Sequence, residues 1–336
     1  MKERIIYSLE ILVSLLVVVS LLWVAFYVKP RTEVASVEAA LFGFRNNFYG
    51  VTVADETGSV VWAVGTGGRV IRSGDGGETW TLQSAPTANN LQDIAAWDEH
   101  AALVVGDEGT VLVTGDGGQT WTQTDVPLRE FGEQLLQAYV EKGTDRAWVA
   151  GTFGTLFQSL DRGATWKMAH PEIDVAWNDV TVAPDGTVWV VGEFGTVRRS
   201  NDSSETWEDV EVGTESSLMS IAFADATHGV IVGLSGAVAH TMDGGQSWDI
   251  VPAGIESHLF DVSWTGSAFA AVGDAGMAGT ADRSGLDWTF SRIAENNFSW
   301  YTASAAAGPS RLYISGANLG VLENGIWRPF QEQNRR

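Results

Sequence analysis

Short hydrophobic runs separated by turn residues repeat along the chain from about residue 44 onward. Runs such as VVWAV at residues 60–64 and ALVV at residues 102–105 lead into a segment of the form Gly-x-x-Gly, and a second apolar or alternating run follows. Runs of this length bounded by glycine are typical of β-strands joined in hairpins. The pattern therefore predicts many short antiparallel strands and an all-β fold.

A second turn motif, of the form Ser/Thr-x-Asp-x-Gly-x-Thr-Trp, follows each hairpin and recurs about every 40 residues. Five copies are well preserved, a sixth is stretched by one residue, and a seventh survives only at residues 324–327. The aspartates of the motif are Asp75, Asp116, Asp161, Asp202, Asp243 and Asp282. Its tryptophans are Trp80, Trp121, Trp166, Trp207, Trp248 and Trp288, with Trp327 in the seventh copy.

The residue types of this motif indicate a structural turn without chemistry of its own. The hydroxyl and the carboxylate can hydrogen-bond to backbone groups inside a tight turn, and glycine accepts a positive φ. Tryptophan then packs as a large apolar plug. Ser204 stands at the glycine position of the fourth copy, so we expect that turn to be strained.

A third series opens each unit with an apolar residue and supports a count of seven units. Its members are Phe48, Leu91, Leu136, Trp177, Leu218, Leu259 and Trp300. They either pack between neighbouring units or lie exposed around the mouth of a central channel. Four short strands fit a 40-residue period, and seven such units close into a ring. The predicted fold class is an all-β, seven-bladed β-propeller of four-stranded blades.

One face of this ring carries the candidate contact residues. Alternate turns of an up-and-down meander fall on opposite faces, so the Gly-x-x-Gly turns share a face with the connections between units. Phe153 and Phe194 lie at the tips of two adjacent Gly-x-x-Gly turns, where few neighbours can bury them. The long connection between units two and three, roughly residues 127–146, is also a candidate contact segment. The predicted partner-binding residues are Phe153, Phe194, Asp107, Glu108, Glu193, Asp274, Arg129, Glu130 and Glu133.

The turn motif resembles the Asp-box of bacterial neuraminidase repeats. Seven such units, clearest at residues 61–80 and 188–207, make residues 44–330 similar to the photosystem II stability and assembly factor family of Asp-box (BNR-type) propellers. The resemblance implies a seven-bladed propeller on the lumenal or periplasmic side of a membrane. It also implies a role in assembling or stabilising a membrane-protein complex.

Three features set the chain apart from photosynthetic members of that family. It has no cysteine for a lipid anchor, it carries an apolar N-terminal segment, and acidic residues stand where the family is associated with an arginine-rich patch. Related propellers in non-photosynthetic bacteria are in some cases encoded beside exporters of the resistance-nodulation-division class. We therefore expect a non-photosynthetic branch, with either such an exporter or a photosystem as the partner complex.

Residues 5–28 form an apolar stretch that is interrupted only by Glu10. At 1.5 Å per residue it is long enough to cross a bilayer core of about 30 Å. It predicts a single-pass anchor in the inner membrane with the propeller on the periplasmic side, and a cleaved signal peptide is the alternative. The positive charges that flank the stretch are balanced, so they decide little about orientation. The predicted domains are an anchor (1–30), a linker (31–43), the propeller (44–330) and a tail (331–336).

Charge and cysteine content exclude several function classes. The 336 residues include 42 acidic and 20 basic side chains, for a net charge of −22, and no cysteine. Nucleic-acid binding needs clustered lysine and arginine, so nucleic acid is not an expected partner. The absence of cysteine excludes disulfides, thiolate metal sites and cysteine nucleophiles.

A sialidase-like glycoside hydrolase or a glycan-binding protein is the alternative function. Tyr49 and Tyr301 lie at strand starts near the expected axis, but Arg45 is the only arginine near such a start, and a sialidase needs an arginine cluster. Asp93, Asp179 and Asp261 recur at one position of three units. They either bind a cation in the channel or cap strand entries and face channel water.

The five histidines, namely His100, His170, His228, His240 and His258, do not stand at metal-ligand spacing. We therefore expect neither a metal nor another cofactor, and no catalytic residue. The predicted function is that of a membrane-anchored, non-catalytic assembly, stability or accessory factor for a membrane-protein complex.

Overall fold

The computed structural model describes residues 15–17, 19–20, 41–43, 46–128, 133–169 and 173–331. The chain divides into two compact units, residues 1–40 and residues 41–336. Residues 15–17 and 19–20 are helical, and most of the predicted anchor lies outside the described residues. Among the described residues, no helix has the length and apolar character needed to cross a membrane.

In the second unit the described residues form 28 strands in seven four-stranded antiparallel sheets. The innermost strands are β1 (Phe48–Val53), β5 (Leu91–Ala96), β9 (Leu135–Val140), β13 (Trp177–Val182), β17 (Leu218–Phe223), β21 (Leu259–Trp264) and β25 (Tyr301–Ala306). The second strands are β2 (Val61–Gly65), β6 (Ala102–Gly106), β10 (Ala147–Gly151), β14 (Val188–Gly192), β18 (Gly229–Gly233), β22 (Phe269–Gly273) and β26 (Arg311–Gly316).

The third strands are β3 (Arg69–Ser73), β7 (Val111–Thr114), β11 (Leu156–Ser159), β15 (Val197–Ser200), β19 (Val238–Thr241), β23 (Met277–Ala281) and β27 (Gly320–Glu323). The outermost strands are β4 (Thr81–Gln83), β8 (Thr122–Gln123), β12 (Lys167–Met168), β16 (Glu208–Asp209), β20 (Asp249–Ile250), β24 (Thr289–Arg292) and β28 (Ile326–Pro329). Short 3₁₀ turns at Thr66–Gly68, Asp107–Gly109, Glu193–Gly195 and Leu234–Gly236 join second to third strands. Every sheet is a simple meander, so the predicted seven-bladed propeller of four-stranded blades is confirmed.

The hydrophobic core lies between neighbouring blades. The second strands are almost wholly buried, because the two neighbouring blades cover the two faces of each of these strands. Asp-box tryptophans pack onto the preceding blade: the ring of Trp121 meets that of Trp62 at 5.9 Å, and Trp248 meets Trp189 at 5.8 Å. The motif that builds each turn thus also supplies the contact that holds two blades together.

The apolar residues at the start of the innermost strands pack between blades, which supports the first of the two interpretations. In two blades the residue predicted to open the innermost strand is wrong by one position. Leu135 and Tyr301 lie opposite the last glycine of the second strand and are fully buried, whereas Leu136 and Trp300 are half-buried. Two adjacent apolar residues fit the same pattern in each case, so spacing alone could not choose between them.

The ring closes without strand exchange, because every blade is built from one continuous stretch of chain. Blade 7 packs on blade 1 through an aromatic cluster that includes Phe42 and Phe330. The ring of Phe330 lies 5.3 Å from that of Trp80 and 6.2 Å from that of Phe42. Tyr313 donates a hydrogen bond from its hydroxyl to the Gly76 carbonyl of blade 1 at 2.9 Å.

Candidate partner-binding face

The Gly-x-x-Gly turns and the connections between blades lie on one face of the ring, here called the G-x-x-G face. The last glycine of a turn donates its backbone N–H to the connection that enters the next blade. Gly109 donates to the Glu133 carbonyl at 2.8 Å, and Gly276 donates to the Ser299 carbonyl at 2.6 Å. The turns are therefore fixed both to their own hairpin and to the neighbouring blade.

The third residue of these turns has left-handed backbone whatever its type. The residues concerned are Gly67, Glu108, Phe153, Phe194, Ser235 and Ala275, with φ between 51° and 66°. The glycine that follows also has a positive φ, which is the pattern of a type I′ hairpin turn. Asparagine, aspartate and glycine favour this conformation, whereas for phenylalanine it is an outlier.

Close packing of the final glycine orients the residue before it. A Cβ on Gly195 would lie 1.8 Å from the Thr214 carbonyl oxygen, so no other residue fits that position. Because the glycine side of the turn is pressed onto the connection, the side chain of Phe194 extends away from the ring.

The face presents apolar side chains on adjacent blades. The exposed fraction is 71% for Phe194 and 46% for Phe153, and these two residues are called the aromatic pair. Leu128, 37% exposed, packs over the Gly109 turn of the blade before them. Exposed apolar side chains thus lie at the G-x-x-G turns of blades 3 and 4 and beside that of blade 2.

The acidic candidates divide into two groups by their contacts. Asp107 accepts hydrogen bonds from the side chains of Asn90 at 3.1 Å and Gln92 at 2.7 Å. Glu193 accepts the Ala176 N–H at 3.0 Å, and Asp274 accepts the His258 N–H at 2.9 Å. These three carboxylates stabilise the start of their own blades.

Among the acidic candidates in the turns, one has a side chain that is exposed to solvent. Glu108 is exposed at the tip of its turn, in the position that Phe153 and Phe194 occupy in the next two blades. Glu133 is only 1% exposed, so its side chain cannot contact a partner directly. The hydrogen bond from the Gly109 N–H to the Glu133 carbonyl holds Glu133 against that turn. Arg129 and Glu130 lie outside the described residues.

The mouth of the central channel is formed by residues that the sequence did not single out as a group. Every innermost strand has a β-bulge at its second residue, seen as a register shift against the second strand. The seven bulged residues line a cavity of about 310 Å³ at the axis: Tyr49, Gln92, Leu136, Asn178, Met219, Phe260 and Thr302. None is charged, and four are apolar or aromatic.

The recurring position of these residues, second in each innermost strand, was the available signal. The alternation of a regular strand would not point this residue towards the axis. A β-bulge reorients it, and the bulge is not visible in the sequence pattern.

The three axial aspartates hold neighbouring blades together. Asp93 accepts the Ala138 N–H at 3.0 Å and Asp179 accepts the Ile221 N–H at 2.9 Å, each in the next blade. Asp261 accepts the Ser304 N–H at 2.8 Å in the same way. Of the two interpretations of these carboxylates, strand capping fits the contacts. Among the described residues, no group of three or more His, Asp or Glu side chains is arranged to hold a metal ion.

Burial makes these aspartates weaker acids. Desolvation raises the pKa of Asp179 to about 7, and it raises the pKa of Asp93 and Asp261 in the same direction. The Ser220 hydroxyl lies 3.0 Å from a carboxylate oxygen of Asp179 and 3.2 Å from one of Asp261, so it connects the two groups. Because these carboxylates join neighbouring blades, their raised pKa predicts that the stability of the inner ring depends on pH.

The Asp-box turns lie on the opposite face and have the contacts expected of structural turns. In the first copy the Ser73 hydroxyl donates to Asp75 at 2.7 Å, and Asp75 accepts the Thr79 N–H at 2.9 Å. Asp116, Asp161, Asp202 and Asp243 make the same pair of contacts. Hydrogen bonds from the threonine or serine before the tryptophan lower the pKa of Asp116, Asp202 and Asp243 to about 2.

The stretched sixth copy keeps the carboxylate but changes its partner. Asp282 accepts hydrogen bonds from the backbone N–H of Ser284 at 2.9 Å and from its hydroxyl at 2.5 Å. Trp288 still donates its indole N–H to the Gly285 carbonyl at 3.0 Å. The turn thus closes in spite of the inserted residue.

Several solved structures share this fold. A structure described as YCF48 bound to D1 peptide matches with a TM-score of 0.67 and 18% identity, over 86% of this chain and 94% of that one. YCF48 from Cyanidioschyzon merolae matches with a TM-score of 0.67 and 17% identity, over 85% and 96% of the two chains. The GH74 xyloglucanase from Xanthomonas campestris matches with a TM-score of 0.68 and 15% identity, over 84% of this chain and 53% of that one.

The fold is shared by YCF48 and by a GH74 enzyme, whereas the family model that the sequence matches is that of YCF48. No match was found among curated protein sequences. A family model described as photosynthesis system II assembly factor YCF48 matches residues 80–172 and 199–297, which together make up more than half of the chain. On that match, the chain belongs to the YCF48 family of photosynthesis system II assembly factors.

Proposed function

We propose that this protein is a non-catalytic accessory factor that binds a protein subunit of a membrane complex and supports its assembly or stability. The observation that carries the proposal is the aromatic pair, Phe153 and Phe194, held outward in left-handed backbone on adjacent blades. Exposed aromatics on strained backbone are unfavourable in the isolated molecule, so a partner that covers them provides a physical reason for their presence.

Family membership supports the same role. One family structure is described as YCF48 bound to D1 peptide, so that protein binds a peptide. We extend peptide or protein binding to the present chain and place it on the G-x-x-G face. The partner complex is either an exporter of the resistance-nodulation-division class or a photosystem.

The proposal includes a single-pass anchor at residues 5–28 that holds the propeller on the periplasmic side of the inner membrane. Its support is the apolar sequence itself. The domain organisation proposed with it is anchor 1–30, linker 31–43, propeller 44–330 and tail 331–336. Removal of residues 1–30 then yields a soluble, folded propeller, which gel filtration without detergent tests.

The contacts at the axis support a non-catalytic role. Asp93, Asp179 and Asp261 each accept a backbone N–H of the next blade, so these carboxylates serve the ring itself. A glycoside hydrolase is the alternative, and the shared fold of a GH74 xyloglucanase gives it no more than a common scaffold. Hydrolysis of sialosides or xyloglucan that is lost in Tyr49→Phe or Tyr301→Phe would overturn the non-catalytic assignment.

Co-purification tests the partner-binding role. The full-length protein is purified from its own membranes in a mild detergent, and we expect subunits of one membrane complex to be retained. The double variant Phe153→Ser plus Phe194→Ser loses them without unfolding, because it removes the exposed apolar contacts. Leu160→Ser is the matched control, since Leu160 is 58% exposed on the opposite face. Full retention by the double variant would refute this assignment of the binding face.

A further inference from the structure

The exposed acids of the G-x-x-G face are not neutralised within the described part of the molecule. These acids lie at the Glu108 turn tip and on the connections between blades, and all are exposed: Glu108, Asp125, Asp174, Glu211, Glu215, Glu256 and Glu295. None forms an ion pair with another described residue. These seven carboxylates therefore have no ion-pair partner among the described residues.

The opposite face shows that this is not a general consequence of the acidic composition. There Arg162 pairs with Asp98 at 3.4 Å and with Asp145 at 2.8 Å. Arg283 pairs with Asp225 at 3.2 Å. The opposite face thus contains arginine–carboxylate ion pairs, whereas the seven exposed acids of the G-x-x-G face form none with a described residue.

The described arginines nearest the G-x-x-G face contact uncharged side chains and form no ion pair with the seven acids. Arg69 donates a hydrogen bond to the Asn46 side chain at 3.1 Å. The guanidinium of Arg292 lies over the ring of Phe298, 4.3 Å from its centre. No lysine lies among the described turns and connections of this face.

Apolar and anionic positions are arranged as in a protein interface. The channel mouth has half-buried Leu136, Met219 and Phe260, and the aromatic pair stands on the nearby turns. The acids lie mainly on the connections that arrive from the outer strands. An apolar centre with a charged rim is typical of a surface that buries a partner segment in its middle.

We propose that the partner segment bound by the G-x-x-G face is cationic and amphipathic, with apolar side chains on the aromatic pair and lysine or arginine side chains against the acidic connections. This rests on the proposed function and specifies the chemistry of its partner. Complementary charge steers such a segment to the face and selects it over acidic or neutral segments.

Peptide binding to the full-length protein in a zwitterionic detergent tests the proposal. The probe is a fluorescein-labelled heptapeptide, Lys-Leu-Lys-Gly-Lys-Leu-Lys, and its signal on empty micelles is subtracted. We expect saturable binding that weakens about tenfold between 50 and 300 mM salt, because the charge attraction is screened. We expect no binding of the counterpart with glutamate in place of lysine.

Two pairs of variants give matched controls. Glu211→Gln plus Glu215→Gln, on the connection that covers the Phe194 turn, lowers peptide affinity about fivefold to tenfold. Glu56→Gln plus Glu99→Gln removes the same charge from exposed positions on the opposite face and leaves affinity unchanged. Equal effects of the two pairs would show a general charge effect and overturn the proposal.

The outcomes also separate this inference from the proposed function. If Phe153→Ser plus Phe194→Ser releases the co-purified complex but the glutamate variants and salt do not, the binding face stands and the cationic segment is wrong. If the double phenylalanine variant retains the complex and the peptide, both proposals fail.

Discussion

Non-glycine residues with left-handed backbone occur both in the Asp-box turns and at the tips of the Gly-x-x-Gly turns of this propeller. Ser204 has a φ of 76° at the glycine position of the fourth Asp-box, as its sequence position led us to expect. Its hydroxyl accepts the buried Trp148 indole N–H at 3.1 Å, which offsets part of the strain. Phe194 has a comparable conformation but its side chain contacts mainly solvent, so the reason for it lies outside the isolated chain.

Replacing Phe194 by asparagine should separate stability from binding. Asparagine followed by glycine is favoured in type I′ turns, so Phe194→Asn should raise the free energy of unfolding by about 0.5–1 kcal/mol while partner binding is lost. Urea denaturation and co-purification measure the two effects. Ser235→Asn is the control at the same turn position of the next blade; it should gain similar stability and keep the partner. A loss of stability in Phe194→Asn would contradict this account.

At the level of elements, each blade is a closed meander whose stability depends on its neighbours. The second strands are buried only because adjacent blades cover them. The chain does not run directly from blade 7 into blade 1, so no peptide bond connects the two blades at that junction. Aromatic packing at that junction has to hold the ring closed.

Truncation at the junction should therefore destabilise the whole ring. Phe330→Ala removes a half-buried ring that contacts Phe42, Trp80 and Tyr313, and we expect a loss of about 2–3 kcal/mol, somewhat below the cost at a fully buried site. Ile326→Ala, in the same blade but 66% exposed, should cost less than about 0.5 kcal/mol. Urea denaturation of both variants compares them, and equal losses would argue against a special role for the junction.

At the level of the whole molecule, acids of opposite behaviour set the pH range of stability. The pKa of Asp179 is raised to about 7, so the folded state holds a proton that the unfolded state releases above about pH 4. This contribution is complete below about pH 4 and is lost as pH rises towards 7. The Asp-box carboxylates, with pKa lowered to about 2, stabilise the fold above about pH 4 and cease to do so as pH falls towards 2.

Stability should accordingly be highest in mildly acidic solution, near pH 4–5. Asp179→Asn keeps an acceptor for the Ile221 N–H and has no proton to lose. The variant should be more stable than the parent at pH 8 and should show a flatter pH dependence between 4 and 7. Thermal unfolding across this range measures it, with Asp174→Asn, an exposed acid, as the control. An unchanged slope in Asp179→Asn would exclude Asp179 as the titrating group.

The candidate site was only partly predictable from the sequence. Phe153 and Phe194 were found because a turn tip offers few neighbours, and the structure places both in exposed positions. Asp107, Glu193 and Asp274 belong to the same turns as the exposed tip residues, yet contacts to their own strand starts occupy them. Such contacts depend on where the chain returns to the start of the blade, which no local pattern contains.

Local pattern was sufficient for the number of blades, the order of strands within each and the structural role of the Asp-box, because a hairpin is specified by the few residues of its own turn. The exact register in blades 3 and 7, the ring of bulged residues at the channel mouth and the aromatic closure at Phe330 needed three-dimensional contacts. The buried positions of Leu135 and Tyr301 and the closure at Phe330 involve packing against residues of a neighbouring blade, which lie far away in the chain. The same holds for the unpaired acids of the G-x-x-G face, because only the folded ring shows which acids lie beside an arginine and which do not.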